Sequence, residues 1–332
     1  MTEFSTKKII DSCNTIQPDT YNILTFATHE RYETQLCKTG HNFYSFSMEN
    51  MKKWNTEQTA IPSNYFLLPE GNPCSFIKYD FILSQSKFGQ YQIAKQIQGF
   101  LRVPIISLEH TVPTPQTISE SHLVAMKSMV GDINVFISEY SAKQWGINNN
   151  TVIVHHGMDT ELFKKMDIEQ GDYILTVAND FVNRDYCLNY GGWKRITNGL
   201  NVRLVGDTKG LSKPAESVES LVEEYNKCAV YLNTSTLSPI PTSLLEAMSC
   251  GCAVVSTATC MITEIIENGV NGFISNDENE LREKVEYLLN NKDARISMGA
   301  KARQTIETKF PEQAFLNKWN EVFHQAYRIS LK

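Results

Sequence analysis

Residues 231–252 read YLNTSTLSPIPTSLLEAMSCGC. The run AVYLN at 229–233 has the length and apolar content of a buried strand, and residues 243–250 have helical spacing. Between them lies a loop of Ser, Thr and Pro. Such a loop carries the chain from the carboxyl end of a strand into a helix N-terminus. There, unpaired N–H groups and the positive end of the helix dipole suit a diphosphate. A carboxylate facing that anion would repel it, so Glu246 is better placed to accept hydrogen bonds from a sugar diol. The plainer reading is a capping box, Ser243-x-x-Glu246, that only starts a helix.

Outward from this stretch the same rhythm repeats. Strands are expected at 22–27 (NILTFA), 81–84, 104–108, 135–138 and 151–155, with helices at 91–100 and 121–130. The second half restarts with strands at 173–177, 202–205, 253–256 and 272–275. Its helices fit 217–227, 243–250, 262–268, 278–290, 293–309 and 311–329, with Pro311 in a first-turn position. Apolar strands alternating with amphipathic helices predict an α/β protein of two Rossmann-like, doubly wound domains facing a cleft. The polar stretch 159–171 suggests domains at 1–160 and 161–310, followed by a C-terminal crossover helix, 311–332, that packs back on the first domain.

Composition excludes several classes. The net charge of −6 offers no basic excess for a nucleic-acid backbone. Residues 1–8 lack the apolar centre of a signal peptide, and no apolar run is long enough for a transmembrane segment. The expectation is a cytoplasmic protein, with the amphipathic stretch 121–130 leaving peripheral membrane attachment open. Eight cysteines without a C-x-x-C read as buried thiols rather than a metal site.

Residues 243–274, SLLEAMSCGCAVVSTATCMITEIIENGVNGFI, closely resemble the donor-site region of the family-four retaining glycosyltransferases of the GT-B fold. In that family two Glu residues, eight positions apart, precede an Ala-Met-x-x-Gly. The segment 152–163 (VIVHHGMDTELF), the strands 173–177 (YILTV) and 204–207 (LVGD), and Phe310 follow the family in the right order. The resemblance spans roughly 135–325. It implies transfer of a sugar from a UDP- or GDP-sugar with retention of configuration, no metal and no cofactor beyond the donor itself. Carried onto this sequence, Glu246 holds the ribose hydroxyls and Arg184 neutralises the diphosphate, with Lys209 as a further cation. Asn179, Ser238, Ile240, Thr242, Ser243, Leu244 and Leu245 complete the expected donor site. His110, at a strand end in ISLEHTVP, matches a family His near the reacting sugar, although a lone His there is equally a structural hydrogen-bonder. His29, Glu30 and Arg31, after the first strand, are acceptor-side candidates, or serve a helix cap through Thr28.

Departures fall where the sugar binds. Ser238 stands at the first Glu, Pro239-Ile240-Pro241 replaces Gly-Phe-Gly, Asn179 stands at an expected basic residue and His156 at the interdomain Asn. Two prolines remove two backbone donors. The absence of an Asp-x-Asp sequence fits a reaction without a bound divalent ion. Two alternatives stay open: a nucleotide-sugar epimerase or phosphorylase of the same fold, and a non-catalytic nucleotide-sugar-binding subunit. The acceptor class, whether glycan, lipid-linked sugar, protein or modified nucleic-acid base, is not legible.

Overall fold

The computed structural model describes residues 6, 9–10, 20–56, 59–114 and 118–331. The chain divides into two compact units, one of residues 1–154 with 315–332 and one of residues 155–314.

The first unit is built on a parallel sheet of seven strands. These are β1 (Asn22–Thr25), β2 (Asn42–Ser45), β3 (Tyr65–Leu67), β4 (Phe81–Ser84), β5 (Ile105–Glu109), β6 (Ile133–Phe136) and β7 (Thr151–Ile153), in the order β3-β2-β1-β4-β5-β6-β7. Successive side chains point to opposite faces, so Ile23 and Leu24 enter different cores. One core joins Ile23, Phe81, Leu83, Ile106 and Val135 to α1 (Glu30–Cys37) and to Trp319 and Phe323 of the C-terminal helix, Glu312–Ser330. The other joins Leu24, Tyr44, Ile82 and Ile105 to Tyr91, Ala94 and Ile97 of α2 (Gln90–Leu101). Two further helices, α3 (Glu120–Lys127) and α4 (Glu139–Trp145), lie between β5 and β7 in the chain. Strands β2 and β3 escape the sequence reading because NFYS and YFL are only four and three residues long.

The second unit has five parallel strands: β8 (Ile174–Val177), β9 (Val202–Val205), β10 (Val230–Asn233), β11 (Ala253–Ser256) and β12 (Phe273–Ile274), in the order β12-β11-β10-β8-β9. Its helices are α5 (Asp185–Leu188), α6 (Tyr190–Ile196), α7 (Val218–Lys227), α8 (Thr242–Ser249), α9 (Ile262–Ile265), α10 (Glu278–Asn290) and α11 (Lys292–Lys309), and the C-terminal helix is α12. The core gathers Ile174, Val230, Leu232, Ala253 and Val255 beneath Trp193, Leu281 and Val285. Both sheets reverse direction of strand addition once: between β1 and β4, and between β8 and β10. Ligands of open parallel sheets bind at the carboxyl ends of strands flanking such a reversal. No helix among the described residues is long and apolar enough to cross a membrane, and the described cysteines are free thiols.

Candidate functional site

In the second unit the reversal lies between the loops that leave β8 and β10. Several hydrogen bonds tie these loops together. Thr236 N–H donates to the Cys187 carbonyl at 2.8 Å, and Thr234 Oγ1 donates to the Leu188 carbonyl at 2.8 Å. The loop after β9 joins the same edge: Asp207 N–H donates to Asn179 Oδ1 at 2.8 Å, and Phe181 N–H donates to Thr208 Oγ1 at 3.0 Å. Asn179 therefore braces the loop that carries Lys209. Gly206 sits at φ +128°, and a Cβ there would lie 2.1 Å from the Ala178 carbonyl oxygen. Only glycine fits this approach. Gly206→Ala is expected to lower the unfolding free energy by about 2–3 kcal/mol, checked by denaturant unfolding.

Arg184 and Lys209 are both exposed and neither makes an ion pair among the described residues. Two cations without internal partners, on adjoining loops at a strand-end edge, are available to an anion.

Helix α8 starts at Thr242 with Pro241 as N-cap and no side-chain cap. The capping-box reading does not hold: Ser243 Oγ accepts from the Tyr231 hydroxyl at 2.8 Å instead of from a backbone amide. The amides of Thr242 and Ser243, in the first turn, have no helical acceptor, and no acidic residue occupies that turn. Leu244 and Leu245 are fully buried, and their amides both donate to the Pro241 carbonyl, at 3.1 and 3.4 Å. They belong to the core rather than to a ligand surface. Ile240 is buried as well, and Pro239 accepts from the Met261 amide at 3.2 Å, so the 238–241 loop is anchored at its middle. Ser238 is half-buried.

Glu246 follows one turn on. It is buried, 5% exposed, and its Oε2 accepts from the Tyr225 hydroxyl at 2.7 Å. Tyr225 and Tyr231 lie with ring centroids 5.8 Å apart beneath α8, each spending its hydroxyl on that helix. Burial pushes the Tyr231 hydroxyl well above its ordinary range, so it remains a donor. Sequence reading missed both tyrosines, though Tyr225 falls on the buried face of α7 with Leu221 and Val222, where a polar tip demands a partner. The far end of α8 is locked by Arg303, which donates to the Ser249 carbonyl at 2.7 Å.

The first unit brings two of its candidates, His29 and His110, together. The His110 ring packs edge-on against His29, 4.8 Å between centroids, and against Tyr32 at 4.7 Å. Glu30 is tied to Lys52 by an ion pair of 2.7 Å, and Arg31 is exposed. The cap role for Thr28 fails: His29 is the N-cap of α1 without a side-chain bond, and Thr28 Oγ1 serves the Phe26 carbonyl and Gln90. The reading also missed a buried polar set behind these loops. Glu33 Oε1 accepts from Gln85 Nε2 and from the Thr28 amide at 3.1 Å, while Glu33 Oε2 and Gln85 Oε1 are buried without a partner. Burial raises the Glu33 carboxyl to about 8. Among the described residues no cluster of His, Cys, Asp or Glu suits a metal ion.

Comparison with known proteins shows what this arrangement is similar to. Residues 213–305 match the family model described as glycosyl transferases group 1. An uncharacterized glycosyltransferase of Methanocaldococcus jannaschii is 22% identical over 250 residues, covering 68% of this chain and 70% of that protein. Among solved structures, Anabaena HepE in complex with UDP superposes with a TM-score of 0.73 at 14% identity, over 92% of this chain and 100% of that one. Sucrose-phosphate synthase from Thermosynechococcus elongatus gives 0.75 at 13%, over 93% and 100%. The fold is therefore GT-B. Residues 213–305, which hold α8 and Glu246, are the part of the chain that is similar to the glycosyl transferases group 1.

Proposed function

We propose that the protein transfers a sugar from a nucleoside-diphosphate donor to an acceptor, with retention and without a metal ion. The observation that carries this reading is α8: an N-terminus with no side-chain cap and no acid in its first turn, followed by a buried carboxylate held on one oxygen by Tyr225. The diphosphate lies over the Thr242 and Ser243 amides, and the ribose hydroxyls donate to Glu246. Arg184, the helix amides and Lys209 meet the charge of the departing nucleoside diphosphate, which is electrostatic stabilisation of a leaving group. The leaving phosphate assists attack from the same face, so no protein nucleophile is needed. His110, beside His29, works at the reacting sugar. UDP, the ligand of the Anabaena structure, supports a uridine donor as the first to test.

Arg184→Ala is expected to cost about 1.5–3 kcal/mol of nucleoside-diphosphate binding while leaving nucleoside binding unchanged. Calorimetric titration with UDP and uridine checks this, and equal loss for both ligands refutes a phosphate contact.

A second reading rests on Ser238 and the anchored Pro239-Ile240-Pro241 loop, which lacks the acid and the backbone donors that grip the sugar in the family. On that reading the chain binds nucleotide sugars without turning them over. Assay of nucleoside-diphosphate release from a panel of UDP- and GDP-sugars separates the two: tight binding with no release across the panel identifies a binding subunit.

A further inference from the structure

The turn that presents His110 is built around a carboxylate that the transfer chemistry leaves unassigned. Glu109, the last residue of β5, is 1% exposed. Its Oε1 accepts from both the amide and the hydroxyl of Thr111, at 3.0 and 2.7 Å. Its Oε2 accepts from the Lys87 amide at 3.0 Å. Both oxygens are thus spent on fixing the residue that follows His110 and the loop that follows β4. Trp145 Nε1 adds a donor to the Thr111 carbonyl at 2.9 Å. Lys87 is itself buried, with its ammonium on the Met129 carbonyl and 5.7 Å from the ring centroids of Tyr91 and Trp145.

A fully buried carboxylate is expensive, and three donors are the means of keeping it there. An apolar residue at a strand end would hold the sheet edge at lower cost. What the carboxylate adds is a rigid clamp on both sides of one side chain, that of His110, whose ring is wedged against His29 and Tyr32. Tyr32 is in turn fixed by a 3.0 Å bond from Trp319 Nε1. We infer that Glu109 is the positioning residue of His110: it sets the 109–111 turn so that the imidazole points as the reaction requires. The inference rests on the part given to His110 above.

The test uses the full chain with Glu109→Gln and Thr111→Val. Gln keeps the volume but presents a donor to the Lys87 amide, and Val removes one hydroxyl at an exposed position, so the second variant folds if the first does not. The imidazole signals of His110, assigned by their loss in His110→Ala, are read by NMR in the free protein. Turnover is read with whichever UDP- or GDP-sugar the wild type consumes. Both variants are expected to shift the His110 signals. Turnover should fall about 10–100-fold in Glu109→Gln and less in Thr111→Val, with KM for the donor within about twofold, because misplacement of a reacting group acts on kcat. Wild-type His110 signals in folded variants would overturn the inference, even if His110→Ala abolishes turnover. Shifted signals with full turnover in His110→Ala would leave Glu109 as the clamp and remove the role of His110 in transfer.

Discussion

Glu246→Ala is expected to weaken UDP binding about a hundredfold while leaving the folded structure in place. A charged acceptor of two ribose hydroxyls contributes about 1.5–3 kcal/mol for each hydrogen bond to charge, less the cost of reorganising the site. The same change removes the 2.7 Å bond from the fully buried Tyr225 hydroxyl, a loss common to the free and the bound protein that lowers stability rather than affinity. Tyr225→Phe separates the two contributions. It preserves the carboxylate but removes the 2.7 Å bond that orients it, so UDP affinity should fall several-fold. Affinity for inorganic pyrophosphate, which never meets Glu246, should stay as it was. Calorimetric titration of both variants with UDP and pyrophosphate decides this. Unchanged UDP affinity in Glu246→Ala would mean that the Tyr225–Glu246 pair serves only the packing of α7 on α8.

The second large effect concerns stability and pH. Glu33 is 1% exposed, and burial, partly offset by the Gln85 bond, raises its carboxyl from 4.5 to about 8. In the unfolded chain the group titrates near 4.5. Its contribution to stability is therefore fully present below that pH and is lost as pH rises through about 8. Glu33→Gln cannot ionise, and its amide can donate to the buried Gln85 Oε1, which has no partner in the native protein. Relative to wild type, the variant should gain about 2–3 kcal/mol between pH 6 and pH 9. Because His41, held near 4, and Lys87, held near 8, titrate identically in both proteins, the difference isolates position 33. Denaturant unfolding of the two proteins at both pH values measures it. Stability curves that stay parallel would show that Glu33 is not protonated in the fold.

How much of this was legible in the sequence differs between the two units. In the second, strand cores such as VRLV and AVYLN stand between clear helical faces, and the observed strands lie within one residue of the expected ranges. Helices α5 and α6 were missed because DYCL is a single turn and YGGWKRI carries two glycines, weak helix formers both. In the first, β2 and β3 lacked the length for a period-two pattern. Candidates were legible where one residue stands out near a helix start, as with Glu246, or is an exposed cation, such as Arg184. It was not legible where a contact joins residues distant in the chain. Tyr225 and Glu246 are 21 positions apart and Lys87 and Glu109 are 22 apart, so neither pair leaves a local signature. Leu244 and Leu245 enter the expected donor site through the family resemblance, at the helix start. Helix periodicity places their side chains in the core, where the structure has them.

The proposed transfer requires a nucleoside diphosphate bound at the start of α8 with its ribose on Glu246. A crystal structure of the protein with UDP tests it most directly. The ribose hydroxyls are expected within about 3 Å of the Glu246 carboxylate, with the diphosphate over the Thr242 and Ser243 amides. Nucleotide bound elsewhere, with Glu246 engaged by Tyr225 and no ligand, would contradict it.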